Sequence, residues 1–143
     1  MRTKLGAVVL ALLLVPVAGA AVGIKATLKA PGTQPKVNVK WPYSIKVTDL
    51  TGKAVRATVT AVVIDPLGTV HPMDYGPTGP PNPGPPKPIK NWLFKGTFRD
   101  YITFPPDAGL ANTLGGLTLR WTVKVKLGGK TYTKLLKRQV KVV

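Results

Sequence analysis

The sequence predicts an all-β protein, an antiparallel β-sandwich of about seven strands preceded by an N-terminal signal helix. Three observations carry this. Leu117 to Val143, LTLRWTVKVKLGGKTYTKLLKRQVKVV, alternates apolar and polar residues up to Gly128-Gly129 and then resumes a strand-like run, the pattern of a β-hairpin. Similar runs recur upstream between clusters of Gly, Pro and Asp. After the leader no stretch shows a convincing helical period. With 143 residues, 44% of them hydrophobic, the chain suffices for one domain around one core.

The N-terminus reads as an export leader. Arg2 and Lys4 form a basic start, Leu5 to Val15 is apolar, and Pro16 precedes the small-residue pattern Ala18-Gly19-Ala20. Cleavage after Ala20 makes residues 1–20 the signal peptide and 21–143 the sandwich. The competing reading keeps the uncharged span Leu5 to Ile24 as an uncleaved anchor, for which Pro16, Gly19 and Gly23 are poor helix residues. Either route places the body outside the cytoplasmic membrane: secreted, periplasmic or cell-wall associated if cut, membrane-anchored if not. Cysteine is absent, so there is no disulfide framework, thiolate ligand or lipidation site.

The body follows in order. Ile24, Ala26 and Leu28 alternate with Lys25, Thr27 and Lys29 in a first strand ended by Ala30-Pro31-Gly32. Val37 and Val39 alternate with lysines and Asn38 in a short second run. Tyr43, Ile45 and Val47 lead into the turn Asp49-Leu50-Thr51-Gly52-Lys53. Val55, Ala57, Val59, Ala61 and Val63 share one face of a long strand whose end is apolar on both sides through Val62 and Ile64. Residues 76–88, GPTGPPNPGPPKP, hold seven of the fifteen prolines and cannot form a ladder; they read as a Pro/Gly-rich loop, partly polyproline II. It is either a solvated spacer or a ligand for a partner's aromatic groove. Asn91 to Phe104 resumes strand character, with Gly96 suggesting a bulge or bend. Residues 105–116 form a connection with a helical turn around Asp107 to Leu110.

In the final hairpin Leu119, Trp121, Val123, Val125 and Leu127 fall on one face. Two-residue-turn pairing sets Trp121 against Leu136, Val125 against Tyr132 and Val123 against Lys134. The last pair places a lysine on the apolar face, to be met by snorkelling at the rim or by a bulge near Leu135-Leu136.

The segment WPYSIKVTDLTGKAV, residues 41–55, resembles the strand, turn and strand of bacterial exported immunoglobulin-like domains of the YtkA-like type, in its aromatic start, its Asp-x-x-Gly-Lys turn and the valine that opens the next strand. FKGTFRDYITFP, residues 94–105, is similar to the strand before that family's last hairpin. The resemblance spans residues 24 to 143 and implies an immunoglobulin-like sandwich. Some relatives are associated with copper through His and Met residues in the loop after the Val-rich strand. In this chain His71 and Met73, within His71-Pro72-Met73-Asp74, occupy that region.

The inventory argues against an enzyme. There is one His, one Ser, no Cys and no Glu, so a nucleophilic triad reduces to Ser44 and His71 with one of five Asp, and the carboxylates are scattered in sequence. No catalytic residue, resident cofactor or small-molecule substrate is expected. A weak copper site at His71 and Met73 is the metal candidate, since thioether suits Cu(I) and imidazole suits either oxidation state. The bland alternative is a surface His71 and a Met73 packed under the proline loop.

Charge is more informative. Against 21 Lys and Arg stand 5 acids, all Asp, for a net charge of +16. Arg120, Lys124, Lys126 and Lys130, with Lys137 opposite Arg120, form a candidate polyanion-binding ribbon that Lys36, Lys40 and Lys46 extend. Outside the cell membrane the matching partners are anionic lipid or acidic wall polymer; nucleic acid is not expected there. The competing role is edge protection and solubility. The resulting reading is a non-enzymatic envelope module with a basic face for anionic components or an unidentified protein partner. The alternative is a YtkA-like, copper-associated extracytoplasmic domain.

Overall fold

A computed structural model describes residues 22–76, 85 and 87–143. The leader, residues 1–20, and most of the proline-rich loop lie outside the described residues. The all-β expectation holds: among the described residues eight strands form two antiparallel sheets, with one 3₁₀ helix at Pro106–Leu114. Strand β1 (Ile24–Lys29) pairs with β2 (Lys40–Asp49), which pairs with β6 (Thr97–Thr103) to complete sheet A. Sheet B is built on β3 (Arg56–Ile64), flanked on one side by β7 (Leu117–Leu127) and then β8 (Lys130–Val140). The other side of β3 is shared by β4 (Val70–Pro72), next to Val62–Ile64, and β5 (Trp92–Lys95), next to Arg56–Val59.

The inward faces follow the alternation of the sequence. Trp41, Tyr43, Ile45 and Val47 of β2 meet Val59, Ala61, Leu119, Trp121, Val123 and Val125 of sheet B, all buried. Burial of a Val or Leu side chain contributes about 1.5–3 kcal/mol, so this layer is the main source of stability. Trp121 is fully buried, and its ring centroid lies 4.9 Å from that of Tyr43.

Eight strands replace the expected seven for three local reasons. Val37–Val39 is not a strand, because Asn38 adopts φ +58° and the Val37 N–H bonds the Val143 carbonyl. A short β4 occupies ground where no pattern was expected. The run 91–104 is two strands in different sheets, not one strand with a bulge: β5 pairs with β3 and β6 with β2. Gly96 makes the switch at φ +74°. Its N–H donates to Val55 O at 3.0 Å beside sheet B, and its carbonyl accepts from Val47 N at 2.7 Å in sheet A.

The final hairpin has the expected register, with Trp121 opposite Leu136, Val125 opposite Tyr132 and Val123 opposite Lys134. Gly128 and Gly129, at φ +58° and +77°, supply the two left-handed positions of a tight turn. No bulge interrupts the pairing. Lys134 is exposed because β8 is the edge of sheet B, where an inward-phase lysine reaches water.

Candidate polyanion-binding face

Four outward-facing cations of the hairpin region descend from strand alternation. Lys124 and Lys126 stand exposed on the outer side of β7, and Lys137 lies exposed on β8 directly opposite Arg120. Arg120 is half-buried between Val62 and Lys137, with its Nε shielded and lacking a hydrogen-bond partner among the described residues. Lys130 does not join this ribbon. It pairs with Leu127 at the hairpin tip, in the inward phase, and its ammonium lies 5.4 Å from the Tyr132 ring centroid. Lys40 and Lys46 do not extend the ribbon either, since both belong to the outer face of sheet A.

The face gains two cations that the hairpin sequence could not reveal. Arg56 of β3 pairs with Lys95 of β5, and both are exposed. Arg56, Lys124 and Lys126 line a shallow groove of about 460 Å³ with Thr58 and Leu93, a leucine that is 78% exposed. Their signal was present in the phase of their strands, but β5 had to be assigned to sheet B before they could be grouped with β7.

No carboxylate faces this surface. Asp49 is held in its turn by Thr51 and Lys53, and the Thr51 hydroxyl, first among these donors, lowers its pKa. Asp65 accepts from Leu67 and Thr69 N–H groups and contacts His71 Nε2 at 3.0 Å, the contact that most lowers its pKa. Asp100 is buried, while Asp74 and Asp107 line a cleft at the opposite edge of the sandwich. Among the described residues no Lys or Arg forms a salt bridge. No internal salt bridge among the described residues therefore neutralises the cations of this face.

That cleft, about 450 Å³, opens between β4, β6 and the 3₁₀ helix, and it brings His71 and Met73 to one wall. Their surroundings differ. His71 is exposed and turned to Asp65, whereas Met73 is 4% exposed with its Sδ 3.8 Å from the Tyr43 hydroxyl. Backbone bonds from Met73 N to Ala61 O and from Ile89 N to Met73 O lock that residue under the base of the proline-rich loop. Among the described residues no group of three His, Cys, Asp or Glu side chains converges. The Nε2 of His71 is thus engaged by Asp65, and the Met73 thioether faces the Tyr43 hydroxyl in the core.

Ser44 lies on the outer face of sheet A opposite Arg99, while His71 belongs to β4 of sheet B, so the one serine and the one histidine do not meet. Asp100 is a structural centre that strand alternation alone does not single out. Its signal was an acid in the inward phase of an aromatic strand, between Phe98 and Ile102. Its Oδ2 accepts from the Tyr43 hydroxyl at 3.2 Å and its Oδ1 from the Gly76 N–H at 3.0 Å. Burial raises its pKa against the opposing effect of these bonds.

No protein-family model and no curated protein sequence matches the chain. Among solved structures, a domain of the outer membrane lipoprotein Omp28 from Porphyromonas gingivalis is similar at a TM-score of 0.39 and 14% identity, over 85% of this chain and 96% of that one.

Proposed function

We propose that the protein is a non-enzymatic, exported envelope module whose sheet B outer face binds an anionic envelope component, lipid head groups or acidic wall polymer. The observation that supports this is the set Arg56, Lys95, Arg120, Lys124, Lys126 and Lys137 on one sheet face without an acidic neighbour. Near an anionic bilayer each such cation contributes about 1 kcal/mol. Attraction of this origin fades within a Debye length of about 8 Å at physiological salt, so contact must be close and salt-sensitive.

Vesicle sedimentation tests the reading. The chain is expected to sediment with anionic vesicles and not with zwitterionic ones at about 0.1 M salt, and to be released at about 1 M, where the Debye length falls to about 3 Å. Equal sedimentation with both vesicle types, or retention at high salt, would refute an electrostatic face. Catalysis is not part of this reading, because the few reactive side chains lie apart on different elements.

A further inference from the structure

Sheet A repeats the chemistry of sheet B on the opposite side of the molecule. Its outer rows run Thr27–Lys46–Thr97 and Lys29–Ser44–Arg99, with Lys25 opposite Thr48 and Lys40 opposite Thr103. Lys25, Lys29, Lys40, Lys46 and Arg99 are all exposed, and Lys40 Nζ lies 4.6 Å from the Tyr101 ring centroid. No Asp faces outward on either sheet: Asp49 and Asp65 occupy turns, Asp100 is in the core, and Asp74 and Asp107 line the cleft between the sheet edges. Negative charge is thus confined to turns, interior and one rim, while both broad faces are cationic.

We propose that the sandwich bridges two anionic lipid bilayers, holding one on the outer face of each sheet. This rests on the polyanion reading above and extends it from one face to two. Packed sheets lie about 10 Å apart, more than the roughly 8 Å over which charge is screened at physiological salt, so each face attracts its own surface independently. A bilayer suits these faces better than a soluble acidic polymer because they are broad and present apolar groups among the cations. Leu93 and Leu135 are 78% and 59% exposed on sheet B, and Tyr101 and Pro42 pair on the outer side of sheet A.

The experiment uses the full chain with vesicles containing about 30% anionic lipid, and with zwitterionic vesicles as the control for any contribution of the leader. Sedimentation reads binding, and light scattering reads clustering. Two exposed-residue variants isolate the faces: Lys25→Gln, Lys29→Gln, Lys46→Gln, Arg99→Gln for sheet A, and Arg56→Gln, Lys95→Gln, Lys124→Gln, Lys126→Gln for sheet B. Thermal unfolding of each confirms a folded chain. The wild type is expected to bind and cluster anionic vesicles, while each variant still binds through its intact face and loses clustering. Attraction at the altered face falls roughly fivefold per cation removed. Wild-type binding without clustering would overturn bridging and leave the single-face reading intact, whereas absence of binding would overturn both. Clustering that survives loss of either face would overturn the assignment to these two surfaces. Binding diverted to soluble polyglutamate, with vesicles left unclustered, would overturn the bilayer as occupant.

Discussion

The Tyr43 hydroxyl donates to Asp100 Oδ2 at 3.2 Å across directly paired residues of β2 and β6, which places a carboxyl group inside an aromatic core. Phe98 and Trp121 both pack near Tyr43, with ring centroids at 6.2 and 4.9 Å. The second oxygen of Asp100 holds the Gly76 N–H, so one side chain ties the base of the proline-rich loop to sheet A. Burial, then the charge of Asp100, pushes the Tyr43 hydroxyl well above its ordinary range. Tyr43 is therefore a permanent donor.

Asp100 gives the fold a pH dependence of unusual sign. Its folded pKa is raised above the ordinary value of 3.8, so the folded chain holds this proton more tightly than the unfolded chain. The resulting stability is fully present below the unfolded pKa and is lost as pH rises through the folded one. Asp49 and Asp65 act oppositely: their lowered pKa values contribute stability above 3.8 that is lost as pH falls. Asp100→Asn removes one titration and leaves the other two. Urea unfolding is expected to show the variant gaining on the wild type as pH rises from about 3 to about 7. A constant difference would exclude Asp100 as a titrating group in this range. Asp100→Ala, which leaves the Gly76 N–H and Tyr43 hydroxyl without their acceptor, is expected to cost about 1–3 kcal/mol.

Gly96→Ala tests the sheet switch. The backbone is left-handed there, and an added Cβ would come within 3.1 Å of the Ala54 Cβ. The variant is expected to lose about 1–3 kcal/mol in chemical denaturation. A loss no larger than that of an ordinary surface substitution would mean that β5 and β6 tolerate a different corner.

Lys134 guards the free edge of β8. An inward-phase charge on an edge strand opposes pairing with a second sheet. Lys134→Val is expected to change monomer stability by no more than about 0.5 kcal/mol, yet to raise concentration-dependent light scattering. Unchanged scattering at high protein concentration would assign edge protection to other residues.

Copper is expected to leave thermal unfolding unchanged, with Cu(II) or with Cu(I) under reductant, because His71 and Met73 are each engaged elsewhere. A site filled at a hundredfold excess over its dissociation constant stabilises by about 2.7 kcal/mol, an easily measured effect. A copper-specific rise abolished by His71→Ala would instead support the metal reading.

What the sequence determined alone is whatever depends on strand period and turn chemistry. Leu119 to Leu127 declared a buried and a wet face, Gly128-Gly129 set the hairpin register, and the Asp49 to Lys53 turn was legible from residues that bond their own backbone. These are local rules, satisfied within a few residues. Tertiary structure decided which strands share a sheet. That choice split the run 91–104 at Gly96, brought Arg56 and Lys95 beside the β7 lysines, and sent Lys40 and Lys46 to the opposite face. It also turned Met73 into the core and His71 to Asp65. Alternation tells a side chain that it faces outward, but only long-range pairing determines which outward surface it joins.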